Sequence, residues 1–218
     1  MNYKTIDMDS FPRRAHFEYF KGLAYPYVGF TVNVDITGFL AQQKRLGLPF
    51  YLALSYCVTR AANSVPEFRR RIHGDGIIEY DWCHGSHTVA LPDDTYCYCT
   101  LDCRMPFDAY LPCAAEAWER AKAASSIEDG EDADSLLFFS SIPWMSFTSV
   151  IQPTPSPADS NPRINWGKYF RQDGKVLLPL AVLCNHALVD GLHICRFYSA
   201  LDRELAELTA QLCAASGN

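Results

Sequence analysis

The side chains best suited to chemistry lie near the carboxyl end of the chain, between Leu183 and His193. A predicted buried strand runs directly into His186, a short turn follows, and Asp190 stands where its carboxylate can cap the next helix. Imidazole is the side chain that most readily exchanges a proton near neutral pH, so His186 could serve as a general base. A histidine in front of a helix cap is more often structural, and spacing alone leaves both interpretations open.

The elements that must position this histidine alternate between helices and strands. Apolar periodicity and capping residues, among them Ser10 and Thr37, predict helices over residues 10–21, 37–46, 50–65, 112–124 and from 190 onward. β-Branched and aromatic content predicts strands over residues 27–36, 69–81, 87–91, 95–101, 136–151 and 175–184. Because no repeat and no linker separates self-sufficient halves, we expect one mixed α/β domain over residues 1–218.

Turns and loops give further expectations. Asp75-Gly76 and Asp173-Gly174 are typical of tight hairpin turns. Residues 126–134 carry five carboxylates without a calcium-loop pattern, which favours a solvated linker. The four prolines of residues 153–162 predict a loop, and Pro179, inside a predicted strand, predicts an edge or a bulge there.

Composition and charge exclude several classes of protein. The 218 residues are 49% hydrophobic, as in globular domains and unlike disordered chains. A formal charge of −6 without a Lys/Arg run argues against nucleic-acid binding. No stretch approaches the roughly 18 apolar residues of a membrane span, and the first residues lack the apolar core of a signal peptide. We therefore expect a soluble cytoplasmic protein that binds neither membrane nor nucleic acid.

Nine cysteines could suggest disulfides or zinc. The odd count and the absence of an export signal argue against a disulfide framework. Cys97 and Cys99 lie near Cys83, His84 and His87, but the paired ligand spacing of zinc sites is absent, so no metal is predicted. Residues two apart on a strand share a face, so Cys97 and Cys99 are expected to pack as small apolar side chains.

Several motifs together resemble one enzyme family. His186-x-x-x-Asp190-Gly191 resembles the signature of chloramphenicol acetyltransferases, which is shared more loosely with the acyltransferase domains of 2-oxo acid dehydrogenases. Three further segments resemble family motifs in the same order, nearly end to end: residues 13–18, 143–149 and 167–180. The resemblance implies a two-layer α/β sandwich in which helices cover a mixed sheet.

The resemblance also implies roles for individual residues. His186 would be the general base that deprotonates a hydroxyl as it attacks acetyl-CoA. Ser149 would donate a hydrogen bond to the oxyanion, with Ser146 as the alternative if the register is shifted. Asp190 would pair with Arg13 and hold the turn that directs His186, without touching substrate.

Binding residues and assembly follow from the same resemblance. Lys168 matches a lysine that approaches the 3′-phosphate of coenzyme A, although a solvated lysine is an equal alternative. Tyr19 and Phe20 match aromatic residues of the acceptor pocket, although core packing is the commoner role. His193 is expected to be structural. The family transfers acetyl directly within a ternary complex and assembles as a trimer with interfacial sites, which would place His186 opposite the Tyr19 region of a neighbour.

The chain departs from the family pattern at several positions: Leu183, Asn185, Leu192, Asn165 and the segment after Ser149. The base and the oxyanion donor are retained, so the resemblance favours an O-acetyltransferase that uses acetyl-CoA, with chloramphenicol as the leading acceptor and antibiotic resistance as the implied role. The alternatives are another small-molecule acceptor, or a non-catalytic binding protein of this fold.

Overall fold

Two β-sheets and five α-helices make up the fold in the computed structural model, which describes residues 1–129 and 132–215. The helices are α1 (Arg14–Lys21), α2 (Thr37–Arg45), α3 (Phe50–Asn63), α4 (Phe107–Ala124) and α5 (Gly191–Ala214). The strands are β1 (Tyr3–Ile6), β2 (Tyr27–Asp35), β3 (Arg70–His73), β4 (Gly76–Tyr80), β5 (His84–Ala90), β6 (Tyr96–Leu101), β7 (Leu136–Ile142), β8 (Arg163–Gly167), β9 (Phe170–Gln172) and β10 (Lys175–Asn185).

The larger sheet is mixed and has the order β2-β10-β8-β7-β5-β6, with β9 pairing the start of β10. The pairs β5–β7 and β7–β8 are parallel, and the other pairs of this sheet are antiparallel. The smaller antiparallel sheet has the order β1-β4-β3. This arrangement confirms the predicted mixed α/β class, with one large sheet covered by helices.

Strand alternation gives the large sheet two different faces. His87 on β5 and Trp166 on β8 point toward α3, where both rings contact the ring of Tyr51. Their sequence neighbours Ser86 and Asn165 line a cleft on the opposite face. The helices therefore bury one face of the sheet and leave polar side chains on the other.

Helices α3 and α5 form the core behind the sheet. Ten residues of α3 from Leu52 to Ala62 are buried, as the long apolar run predicts. The apolar stripe of α5 is also buried at five of its six predicted positions, and Tyr198, the sixth, is half-buried. Its hydroxyl donates to the Leu180 carbonyl at 2.7 Å, which fixes α5 against β10.

Pro179 lies in a strand that is interior to the sheet, but one side of that strand is locally unpaired beside it, which is the edge-like position that the proline requires. It lies opposite Asn33 of β2, with β9 and β8 on the other side of β10. Those two strands pair with residues 175–177 and 180–183, which leaves a gap beside Pro179. No neighbouring strand there requires the N–H that proline lacks.

The two predicted hairpins form, but the first turn is shifted by one residue. Gly74, with φ 59°, takes the left-handed position that was assigned to Asp75-Gly76, since His73 pairs with Gly76. In the second hairpin Asp173 and Gly174 both have positive φ, as that turn type requires.

Three predicted helix starts are also wrong. Helix α1 begins at Arg14, because the Ser10 hydroxyl donates to the Asp7 carboxylate at 2.8 Å and does not cap the helix. Thr37 is the first residue of α2, and its hydroxyl accepts the Val176 N–H at 2.8 Å. Helix α4 begins at Phe107, five residues before the predicted start.

Two segments between the elements also differ from expectation. Strand β7 ends at Ile142, since residues 143–152 form a loop. The acidic segment is only partly a solvated linker: Asp134 accepts hydrogen bonds from Tyr80 and His73, and Asp129 accepts one from Ser86. Glu131 lies outside the described residues.

Two further expectations concern the cysteines of β6 and the search for membrane-spanning helices. Cys97 and Cys99 are both buried on β6, which confirms that they pack as apolar residues. Among the described residues, no helix is both long and apolar enough to cross a membrane.

Candidate active site

The turn that carries His186 is built by hydrogen bonds of Asn185, the last residue of β10. Its carbonyl accepts the N–H groups of Leu188 at 3.1 Å and Val189 at 3.0 Å. Its side-chain oxygen accepts the Ala187 N–H at 3.0 Å. These bonds form a tight turn around His186, so the backbone before and after this residue holds it in place.

The His186 ring has a defined orientation and tautomer. Its Nδ1 lies 2.8 Å from the carbonyl oxygen of Val189, which can only accept a hydrogen bond, so Nδ1 carries the proton in the neutral ring. Phe20 of α1 stacks on the imidazole, with ring centroids 3.8 Å apart and planes 26° from parallel. Nε2 keeps its lone pair, and no described residue donates to it. The half-buried ring can therefore accept a proton from a bound molecule.

Asp190 joins the turn to two other elements. Its carboxylate accepts the Leu192 N–H at 3.0 Å, which caps α5 as predicted, and it forms an ion pair with Arg13. His193 completes the capping box, because its Nδ1 accepts the Asp190 N–H at 3.0 Å. Burial lowers the pKa of His193, in keeping with a neutral ring that accepts this bond. The ion pair ties the start of α1 to the start of α5.

A second polar network connects the proline-rich loop, residues 153–162, to the turn that carries His186. The Asp159 carboxylate accepts two bonds from the Arg163 guanidinium, at 2.8 and 2.7 Å, and one from the Tyr27 hydroxyl at 2.9 Å. The Asp159 carbonyl accepts the Asn185 amide N–H at 2.9 Å. Sequence reasoning missed this network; an acidic residue four positions before a strand arginine was the available signal.

The other candidate residues are not gathered around His186 within one chain. Ser149 and Ser146 are exposed in the loop that follows β7, and no hydrogen bond among the described residues joins either to His186. Lys168 is exposed at the end of β8, with its backbone N–H bonded to the Met145 carbonyl at 2.8 Å. Tyr19 is 67% exposed and packs on Phe20, which stacks on His186 of the same chain. The Tyr19 region that His186 meets is therefore that of its own chain, and the expectation that placed it on a neighbour is wrong.

A cleft of about 590 Å³ opens on the sheet face that the helices leave uncovered. Its polar wall comes from alternate residues of β5, β7 and β8, including Thr88, Ser140 and Asn165. Trp144 at its rim lies on the same loop as Ser149. His186 does not line this cleft, so within a single chain the candidate base is separate from it.

The surfaces around both parts of the site expose large apolar side chains. Leu192, beside Asp190, is 59% exposed, while Ile151, beyond Ser149, is 95% exposed. Trp144, on the same loop as Ile151, is 76% exposed, and an exposed apolar segment of this kind is typical of a surface that binds another molecule. Within the described residues, no group of three or more histidine, cysteine or acidic side chains is arranged to hold a metal ion.

The fold is that of an acetyltransferase. A solved chloramphenicol acetyltransferase superposes with a TM-score of 0.81 at 24% identity, covering 94% of this chain and 100% of that one. The cubic core of a pyruvate dehydrogenase multienzyme complex superposes with a TM-score of 0.63 at 22% identity, covering 90% and 88% of the two chains.

Sequence similarity assigns the family as well as the fold. The profile of the chloramphenicol acetyltransferase family matches residues 1–202. A chloramphenicol acetyltransferase from Clostridioides difficile is 33% identical over 218 residues, covering 98% of this chain and 100% of that protein. The chain belongs to the chloramphenicol acetyltransferase family and is an acyltransferase enzyme.

Proposed function

We propose that this protein transfers the acetyl group of acetyl-CoA to a hydroxyl of a small molecule, with chloramphenicol as the acceptor. The observation that carries the proposal is the hydrogen bond between His186 Nδ1 and the Val189 carbonyl at 2.8 Å. Because this bond keeps the proton on Nδ1, the lone pair of Nε2 is available to an incoming hydroxyl.

The reaction begins when His186 Nε2 takes the acceptor's hydroxyl proton while the oxygen attacks the thioester carbonyl carbon. The C–O bond forms, and the carbonyl oxygen becomes an oxyanion to which Ser149 donates a hydrogen bond. The intermediate then collapses, the C–S bond breaks, and the imidazolium returns its proton to the sulfur. The products are the acetyl ester and free coenzyme A, with no acyl-enzyme and no metal.

The remaining predicted residues position or bind the reactants. The Arg13–Asp190 pair holds the turn that directs His186, and the second network reaches the same turn through Asn185. Lys168 is exposed and free to approach the 3′-phosphate of coenzyme A. Phe20 packs on the imidazole, and with Tyr19 it forms an aromatic edge for the acceptor.

We further propose that residues 1–218 form a single domain that assembles as a homotrimer with active sites between subunits. In this arrangement His186 of one chain faces the cleft and Ser149 of another. Three features support it: the uncovered sheet face, the exposed Leu192 and Ile151, and the separation of His186 from the cleft. Acetyl-CoA as co-substrate also implies a cytoplasmic location, where this thioester is made.

The direct test is release of free thiol from acetyl-CoA by the purified protein, with and without chloramphenicol. We expect chloramphenicol-dependent release, and we expect His186→Ala to lose about 10² to 10⁴-fold in turnover, the usual contribution of a positioned general base. His73→Gln is the control, since that histidine is exposed on β3 and pairs with Asp134. Wild-type turnover in His186→Ala would show that His186 is not the base.

A second candidate keeps the reaction and changes the acceptor. Thr88, Ser140 and Asn165 line the cleft beside its aromatic rings, and these polar side chains favour an acceptor with additional hydrogen-bonding groups. The same thiol assay, run with a panel of hydroxylated and amine-bearing small molecules, separates the two. Faster release with a member of the panel than with chloramphenicol would favour the second candidate.

A further inference from the structure

Two carboxylates line the cleft without a cation to balance them. Asp129 accepts a hydrogen bond from the Ser86 hydroxyl on β5, and Asp94 lies in the turn between β5 and β6. Neither carboxylate forms an ion pair with a lysine or arginine in the part of the chain that the structure describes. Desolvation raises the pKa of Asp129, as expected for a half-buried carboxylate without a positive partner.

Arg163, the one basic side chain among the described residues that line the cleft, is already neutralised. Both terminal nitrogens of Arg163 bond the Asp159 carboxylate, and the guanidinium lies 5.4 Å from the centre of the Phe138 ring. The Arg163 side chain is only 11% exposed. The pair contributes no net charge, so the cleft keeps the negative charge of Asp129 and Asp94. A concave surface lined by one sign of charge concentrates its field and attracts ligands of the opposite sign.

The uncharged lining suits the rest of a cationic, hydroxylated molecule. Tyr96, Tyr98 and Trp144 present aromatic rings, and such rings attract ammonium groups as well as apolar ones. Ser140 accepts a hydrogen bond from Thr88 at 3.2 Å, and both hydroxyls can also bond alcohol groups of a ligand.

We propose that this cleft is an acceptor site selective for small molecules that carry a protonated amino group beside their hydroxyls, with Asp129 as the counter-ion. The inference rests on the proposed acetyl transfer and favours its second candidate, in which the acceptor is a molecule other than chloramphenicol. The selectivity itself is a property of binding. An acceptor of this class would place its ammonium at Asp129 and leave a hydroxyl for the subunit that contributes the base.

A matched pair of probes tests the selectivity: chloramphenicol, and its free amine, in which a primary ammonium replaces the dichloroacetamide. We would measure both dissociation constants by calorimetry on the purified full-length protein and on two variants. Asp129→Asn removes the counter-ion. Asp173→Asn is the control, because it removes the same charge from an exposed hairpin turn in which asparagine before glycine is equally favourable.

We expect the wild type to bind the amine, with a preference over chloramphenicol that falls about tenfold in Asp129→Asn and stays unchanged in Asp173→Asn. The preference should also weaken as salt increases, since it is electrostatic. If Asp129→Asn does not fold, as judged by circular dichroism, Asp129→Ser replaces it, because it removes the same charge and leaves a hydroxyl near Ser86. An identical preference in all variants, or no binding of the amine to the wild type, would overturn the proposal.

The thiol assay tests the proposed function independently of the binding measurement. Loss of thiol release on every acceptor, with the amine preference intact, would refute the acetyl transfer and leave the cation site standing. Thiol release with chloramphenicol, without any effect of Asp129→Asn on amine binding, would refute the cation site alone.

Discussion

At the scale of single residues, the proposed acetyl transfer depends on one imidazole, that of His186, whose proton position is set by a backbone carbonyl. The Val189 carbonyl fixes Nδ1 as the donor, and the stacked Phe20 ring holds the plane of His186. A free histidine would sample both tautomers and several rotamers, so this restraint removes an entropic cost before substrate arrives. For the proposed proton transfer, the important contacts of His186 are therefore those that orient its ring, from the Val189 carbonyl and Phe20.

Asp190 has two separable roles in that orientation, and two substitutions distinguish them. Asp190→Asn keeps a side-chain oxygen for the Leu192 N–H but loses the charge that pairs with Arg13. Asp190→Ala loses both. We expect both variants to lower kcat more than KM. Denaturant unfolding should find Asp190→Ala less stable than Asp190→Asn by about 1 kcal/mol, the usual cost of a lost N-cap.

The comparison between the two variants decides which contact matters for turnover. Arg13→Lys provides a further check, because it retains the charge while losing the planar guanidinium. If Asp190→Asn has the kcat of the wild type, the ion pair does not position His186.

At the scale of elements, the contact between β5 and α3 contains a buried, neutral histidine. His87 Nδ1 lies 3.2 Å from the Tyr51 hydroxyl, and its Nε2 has no hydrogen-bond partner among the described residues. Desolvation lowers the pKa of His87 from 6.5 to about 3. The folded protein therefore resists protonation of a group that the unfolded chain protonates readily.

This difference predicts acid sensitivity of the fold. Between pH 6.5 and 3 the unfolded state binds one proton more at His87, so stability falls as the pH falls through this range. One such group changes the free energy of unfolding by up to about 1.4 kcal/mol per pH unit. We expect His87→Gln, which cannot titrate, to have a shallower decline in the free energy of unfolding, measured in urea at several pH values.

The control for His87 is His73→Gln, which removes a histidine that is partly exposed on β3. It should retain most of the wild-type pH slope. Equal slopes for His87→Gln and the wild type would mean that another group causes the acid sensitivity.

At the scale of the whole molecule, the proposed trimer accounts for the separation of the candidate site residues within one chain. The cleft and Ser149 lie on the open face of the sheet and its flanking loop, whereas His186 lies on the turn between β10 and α5. Light scattering should give a mass three times the 24.6 kDa of the chain. Ile151→Asp should lower that mass, because it introduces a charge at a side chain that is 95% exposed beside Ser149.

Ile127→Asp is a matched control for the assembly, since Ile127 is also exposed but lies in the segment after α4.

If the active sites lie between subunits, turnover at each site requires an intact residue from each of two chains. Coexpressed His186→Ala and Ser149→Ala chains should regain thiol release through mixed trimers, because some sites then combine both intact residues. A monomeric wild type, or a mixture without recovered activity, would contradict the interfacial arrangement.

The sequence by itself determined the local features of this protein. The apolar stripe of α5, the hairpin at Asp173-Gly174 and the cap at Asp190 were all predicted, because each depends on residues a few positions apart. The order of motifs around His186 also identified the family that the comparisons confirmed.

Only the tertiary structure decided how distant segments meet. The bond from Asn185 to the Asp159 carbonyl, the interior place of Pro179, and the role of Asp129 in the cleft were not predictable from sequence patterns. Asp129 lies in a run of acidic residues that is typical of a solvated linker, and its burial follows from the path of that segment over β5. Contacts of this kind depend on where strands far apart in the chain pair, and local propensity does not encode that pairing.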